Sequence, residues 1–208
     1  SALSLADQGF DIHIVEKNDR LGGLAANVYR TLDGSDVQAF VKDKIAAVDG
    51  HANITVHLGT EVENTGGFVG SFKTTLANGD QFTHGAIIVA SGGAEYEPEE
   101  YGYKASDHVI TQRELEKQIA EGLEPGRRHY LMIQCVGSRE EPLNFCSRIC
   151  CQDAIKNAIA IKEKSPAAQV TILYRDIRTY GLREDFYQRA RDLGVLFVRF
   201  EPEAKPQV

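Results

Sequence analysis

All four cysteines of this 208-residue chain fall within seventeen residues: Cys135, Cys146, Cys150 and Cys151, in the pattern C-x10-C-x3-C-C. Cysteines placed only for packing would be scattered along the chain rather than gathered in one stretch. Four thiolates complete the ligand shell of a 4Fe–4S cluster or of a structural zinc ion. Two disulfides are another chemistry for four cysteines, but they need an oxidising compartment, and nothing at Ser1 resembles a secretory signal. The adjacent pair Cys150–Cys151 also has poor bridging geometry. Structural zinc usually shows paired C-x2-C knuckles, which this spacing lacks. A flavin-linked dithiol made of Cys146 and Cys150 is a third reading, with C-x3-C in place of the C-x2-C or C-x4-C usual for such pairs. An iron–sulfur cluster leads, and zinc stays open.

The elements that must position these cysteines are a strand, a loop and a helix. The run 129–134 reads as a buried strand and 147–164 as a helix, with Ser147 expected as its N-cap. Cys150 and Cys151 then lie in the first helical turn, where the positive end of the helix dipole favours thiolate over thiol. Arg139 and Arg148 add positive charge beside a site of net negative charge. Cys151, Ile155, Ala158 and Ile159 share one helix face, as a helix laid on a sheet requires. A strand at 170–174, a helix at 184–193 stopped by Gly194, and a strand at 195–200 complete a doubly wound unit. Such folds present their chemistry in the loop after the first strand, where a phosphate-binding glycine loop normally stands. A cluster there would replace a nicotinamide nucleotide and turn a hydride-accepting domain into an electron-relaying one. Tyr180 and Arg183 read as a surface loop.

The first half shows the same logic. An apolar helix over 1–8 stops at Gly9, and Phe10, Ile12, Ile14 and Val15 make a strand ending in Glu16. This matches the second part of a βαβ nucleotide-binding unit, in which the acidic residue holds a ribose hydroxyl and the G-x-G-x-x-G turn lies about 20 residues earlier. Counting back places those glycines before Ser1, so the unit is expected to be truncated at its N-terminus. Leu21-Gly22-Gly23 reads as a glycine loop, 40–48 as a helix with Phe40, Ile45 and Val48 inward, and 54–58 and 61–64 as strands. Strands over 67–76 and 81–83 flank Asn78-Gly79, a type I′ hairpin signal. The run Ala86-Ile87-Ile88-Val89-Ala90 reads as a strand buried on both faces, ending in Ser91-Gly92-Gly93. A capping box, Thr111 with Glu114, opens a helix over 111–121.

The fold class is therefore α/β, with two Rossmann-like units and a β-meander. Residues 1–100 are expected to form the partial first unit, and 101–208 the second with its cysteine motif. Net charge of −7 leaves no basic surplus for phosphates, so no nucleic-acid partner is expected. No apolar stretch reaches the roughly 18 residues of a membrane-spanning segment, and a cytoplasmic location is expected. The six histidines are spread without ligand spacing and read as surface or strand residues.

The runs Ile133-Gln134-Cys135-Val136-Gly137-Ser138-Arg139 and Phe145-Cys146-Ser147-Arg148-Ile149-Cys150-Cys151 resemble the heterodisulfide reductase A family. Members of that family are flavin- and iron–sulfur-containing proteins of anaerobes. The resemblance spans essentially the whole chain and implies a thioredoxin-reductase-like core with FAD in the first unit and a 4Fe–4S cluster in the second. Glu16, followed by Lys17, would hold the FAD ribose. Gly22 and Gly23 would line the pyrophosphate, Val62 would touch the adenine, and Ala90, Ser91 and Gly92 would close the site. Cys135, Cys146, Cys150 and Cys151 would be the cluster ligands. The resemblance further implies an oxidoreductase working with other subunits of an electron-transfer complex, and a piece that is not catalytically complete alone. The family's pyrophosphate glycines, ferredoxin-like cluster segments and later flavin segment have no counterpart in this sequence.

Overall fold

The computed structural model describes residues 1–208 as two compact units, Ser1–Asn27 with Val37–Ala94, and Val28–Asp36 with Glu95–Val208. In the first unit, helix α1 (Ala2–Ala6) turns through Gly9 into strand β1 (Ile12–Glu16). A 3-10 turn at Gly23–Asn27 and helix α2 (Val37–Asp49) follow, and β2 (Ile54–Leu58) returns parallel to β1, with Ile12 opposite Ile54 and Glu16 opposite Leu58. Parallel return of this kind is what a βαβ crossover produces. The antiparallel meander β3 (Val62–Phe68), β4 (Ser71–Leu76) and β5 (Gln81–His84) comes next, and Leu76 is fully buried.

Four local expectations change in this unit. The single strand expected over 67–76 is cut by a turn at Val69-Gly70, because Gly67 sits at φ 103° and its missing Cβ lets the Ser71 carbonyl close in. The turn at Asn78-Gly79 is not type I′, since Gly79 alone of the two takes positive φ. Leu76 N donates to the Asp80 carbonyl at 2.9 Å, leaving a three-residue loop, the other common hairpin solution. Phe40 on α2 is 59% exposed rather than inward, while Val48 is buried. Residues 86–90 form no strand: Ile87, Ile88 and Val89 are 51–83% exposed. A strand exists through its ladder, and this run pairs with no other strand.

Three histidines that looked unrelated meet around one ring. His13 of β1 stacks on Phe82 of β5 at 4.1 Å, and its Nδ1 lies 3.0 Å from His57 Nε2 of β2. His84 Nδ1 donates to the Ala86 carbonyl, so its Nε2 accepts from Thr74 Oγ1 at 2.8 Å. Burial, and then the neighbouring His57 and His84, hold His13 below its ordinary value of 6.5, against the opposing pull of Asp11. The unfolded chain therefore takes up this proton more readily than the folded one. Stability is full above pH 6.5 and is lost as pH falls below it. The urea midpoint is expected to drop between pH 7.5 and 5.5, and to drop less in a His13→Gln chain. Equal drops in both chains would refute the role of His13.

The second unit is a parallel sheet in the order β6 (His129–Ile133), β7 (Gln169–Tyr174), β8 (Leu196–Arg199). Helices α3 (Gln112–Ala120), α4 (Cys150–Lys164) and α5 (Glu184–Asp192) contribute to its core. Thr111 and Glu114 make both bonds of the capping box on α3. The core joins Leu115, Met132, Ile155, Ile161, Val170 and Ile172, and the fully buried ones come from the apolar face of α4 and from β7, the central strand. Residues 28–36 go with this unit rather than with their sequence neighbours. Tyr29 N and Arg30 N both donate to Glu116 Oε1 on α3, at 2.9 and 3.0 Å, and Leu32 packs against the core.

Candidate functional site

The cysteine loop leaves the carboxyl end of β6 and returns as α4. Cys150 and Cys151 are the first two residues of that helix. Ser147 is not its N-cap: Arg148, at φ 62°, breaks the helical path, and Ile149 occupies the cap position without a side-chain bond. Cys135 and Arg139 also sit in the left-handed region, at φ 65° and 63°. Non-glycine residues adopt this conformation rarely, and held examples cluster at functional sites. Gly137 takes φ 61° as well, and a Cβ there would overlap the Tyr96 ring, so only glycine fits beneath that side chain.

The thiols differ in setting. Cys151 is 3% exposed on the inward face of α4, and its Sγ lies 3.6 Å from the Asp176 carbonyl after β7. Its thiol donation to Cys150, helped by the Ser147 hydroxyl and opposed by burial, draws the Cys150 thiol down to about 6. The same bond, then burial, pushes Cys151 up. Burial also pushes Cys135 up, against the Arg139 guanidinium, whose Nη1 lies 3.8 Å from Cys135 Sγ. Cys135, Cys150 and Cys151 are within electrostatic reach of one another. Cys146 lies between exposed neighbours and accepts the Arg148 N–H at 3.4 Å. No three His, Cys, Asp or Glu side chains gather as a group that could hold a metal ion.

Two features decide whether these residues suit an iron–sulfur cluster. The donor set is four sulfurs, the ligand type such clusters take. Two buried polar atoms without a partner flank the loop: Gln134 Nε2, one residue before Cys135, and Thr179 Oγ1, beyond β7. Both can donate hydrogen bonds, and cluster sulfurs accept them. The residues fit the group in the chemistry of their four sulfurs, and the thiols would have to come together to hold it.

Sequence reasoning missed the buried ionic cluster one turn along α4. Lys156 Nζ bonds Glu116 Oε2 at 2.9 Å, Asp153 Oδ1 at 3.3 Å and the Arg30 carbonyl at 3.1 Å. Lys156 and Glu116 side chains are 10% and 7% exposed, and burial pushes the Asp153 carboxyl up. The signal was a lysine and an aspartate three apart, both close to the apolar face of α4. It also missed Asp176 and Arg175, which follow β7 and reach back to Arg139 and Glu140.

In the first unit, Glu16 closes β1, and its Oε1 accepts from Asn18 N and Nδ2 at 2.9 and 2.8 Å. Lys17 is exposed beside it. Gly22 needs no ligand to explain it, because its missing Cβ is filled by Val41 and Ala26. Gly23 faces open space. The Glu16 carbonyl accepts from Thr60 N at 3.3 Å, and Thr60 Oγ1 is buried without a partner. Val62, 52% exposed, starts β3 two residues on. These positions therefore lie near the carboxyl ends of β1 and β2, where a doubly wound fold binds a dinucleotide. Ala90, Ser91 and Gly92 lie in the exposed irregular run, with no side-chain bond to the others.

No family model matches the chain. It is 28% identical to the A subunit of the H2/formate:CoB–CoM heterodisulfide, ferredoxin reductase of Methanococcus maripaludis, over 97% of this chain and 46% of that protein. The iron-sulfur A subunit of the CoB–CoM heterodisulfide reductase of Methanocaldococcus jannaschii matches with the same identity and coverage. The chain is thus similar to heterodisulfide reductase A subunits along nearly its whole length. In Methanosarcina acetivorans, the A subunit of a ferredoxin:CoB–CoM heterodisulfide reductase is 32% identical over 57% of this chain and 20% of its own length.

The chain spans about half the length of the heterodisulfide reductase A subunits it matches most fully. Their matched span, 302 positions, exceeds the 208 residues of this chain, so those proteins carry internal stretches it lacks. Among solved structures, T. acidophilum thioredoxin reductase superposes with a TM-score of 0.58 at 15% identity, covering 95% of this chain and 59% of that one. A NAD-dependent persulfide reductase from A. fulgidus gives 0.52 at 18% identity, covering 96% and 36%. The fold is thus thioredoxin-reductase-like, as expected from the sequence. No helix is long and apolar enough to cross a membrane.

Proposed function

We propose that this chain is part of a flavin- and iron–sulfur-dependent oxidoreductase subunit of the heterodisulfide reductase A type, working within a multi-subunit electron-transfer complex. Cys135, Cys146, Cys150 and Cys151 would hold a 4Fe–4S cluster in the second unit. Glu16, Lys17, Gly22, Gly23, Val62, Ala90, Ser91 and Gly92 would bind FAD in the first. When bound, the flavin supplies two-electron chemistry and the cluster one-electron transfer. The observation that carries the reading is the pair Cys150–Cys151 at the first two positions of α4, across from the end of β6 that bears Cys135. There the helix N-terminus stabilises thiolate ligands. The relative named as an iron-sulfur protein supports the same chemistry.

The chain's own residues have distinct tasks. Cys151, held in the core by α4, fixes one edge of the site, and Arg139 and Arg175 offset its negative charge. Gln134 Nε2 and Thr179 Oγ1, buried and without a partner, would be free to donate to cluster sulfur. Cys146 would complete the four-sulfur ligand set. Purification without oxygen, followed by assay of iron, acid-labile sulfide and zinc, tests the proposal. About four iron and four sulfide per chain, with broad absorbance near roughly 400 nm, support it. Stoichiometric zinc in a colourless sample would make the second unit a structural or subunit-docking module instead.

A further inference from the structure

We propose that Arg139 is the positioning residue of the cysteine loop and raises the reduction potential of the cluster held there, an inference that rests on the iron–sulfur reading above. Arg139 links the neighbourhoods of three cysteines. Its guanidinium reaches Cys135 Sγ through Nη1 at 3.8 Å and Asp176 Oδ2 through Nη2 at 2.7 Å. The carbonyl of that same Asp176 lies 3.6 Å from Cys151 Sγ. Its backbone N–H is shared between the Leu143 and Phe145 carbonyls at 2.9 and 3.1 Å, closing the turn immediately before Cys146. Its own carbonyl accepts from Arg175 Nη1, which Glu140 holds at 3.0 Å.

This arrangement needs arginine. One planar fork bonds a sulfur and a carboxylate at the same time, which a lysine ammonium does only as a point charge, and the guanidinium keeps its proton at any working pH. A charged N–H donor at a ligand sulfur stabilises the more negative, reduced cluster. The left-handed backbone at Arg139 aims the side chain back at Cys135, four residues earlier.

The test uses the full chain, purified without oxygen, as wild type, Arg139→Gln, Arg139→Lys and Asp176→Asn. Iron and sulfide are counted, and one-electron reduction by dithionite is followed by electron paramagnetic resonance. Arg139→Gln is expected to keep its iron and to become about tenfold harder to reduce, a shift of about 59 mV to lower potential. Arg139→Lys should recover part of the shift, and Asp176→Asn should show a smaller shift of the same sign. In the cluster-free chain, amide exchange at Arg139 should quicken by about tenfold in Arg139→Gln as the turn loosens. A loaded Arg139→Gln chain with the wild-type potential overturns the tuning, and unchanged exchange overturns the positioning. Failure of the underlying reading looks different: wild type itself would then contain no iron and sulfide.

Discussion

In a Cys146→Ala chain purified without oxygen, iron and sulfide are expected to fall from about four of each to near zero, with loss of the visible absorbance. Cys146 is the sharpest of the four cysteines for this purpose. Cys151 is 3% exposed in the core, so removing its sulfur disturbs packing as well as ligation. Cys146 lies among exposed residues, and its Sγ accepts only the local Arg148 N–H, at 3.4 Å. The cluster-free Cys146→Ala chain should therefore unfold within about 0.5 kcal/mol of wild type, as surface substitutions do. Loss of cluster without loss of fold separates a ligand from a structural thiol. A full complement of iron in this chain would remove Cys146 from the ligand set.

Lys156→Met should cost about 3–5 kcal/mol of stability in the second unit, the usual result of stripping one partner from a buried ion pair. Glu116 would keep the Tyr29 and Arg30 N–H donors but lose its only cation, and Asp153 would lose the same partner. The methionine matches the lysine stem in volume, so the effect is charge rather than cavity. Urea midpoints should show it, and amide exchange should rise at Tyr29 and Arg30 as residues 28–36 come away from α3. Glu116→Gln combined with Lys156→Met should recover much of the loss, because the pair is then removed together. A loss below about 1 kcal/mol in the single variant would mean that water reaches Glu116 and replaces the lysine.

Much of this was legible in the sequence, for identifiable reasons. The capping box at Thr111 and Glu114, the buried face Cys151, Ile155, Ala158 and Ile159, and the strand ending in Glu16 depend on local chemistry and periodicity. Those signals are carried by the residues themselves. The failures involve partners far along the chain. Residues 86–90 have every mark of a buried strand, yet a strand needs a neighbouring ladder, and sequence does not say whether one is free. Helix α4 starts three residues later than expected because Arg148 adopts a conformation that its side chain does not advertise. At the candidate site the cysteines were plain from their spacing. Asp176 was not, because it takes its meaning from Arg139 and Cys151, 37 and 25 residues away in sequence, and the burial of Gln134 and Thr179 depends on the packed fold. The His13–His57–Phe82 stack escaped for the same reason.

The exposed run Ala86–Ala90 also has a colloidal consequence. It is a five-residue window of high β-propensity with no charge and no proline, outside any ladder. Such a window is the template on which identical strands from separate molecules stack into cross-β assemblies. Its flanks, Gly85 on one side and Ser91-Gly92-Gly93 on the other, carry no charged gatekeeper, and the nearest acidic residue downstream is Glu95. The chain's net charge of −7 opposes association only until salt screens it. Concentration and ionic strength therefore bear on how long this protein stays dispersed, and a single lysine in place of Ile88 would put a charge inside the window.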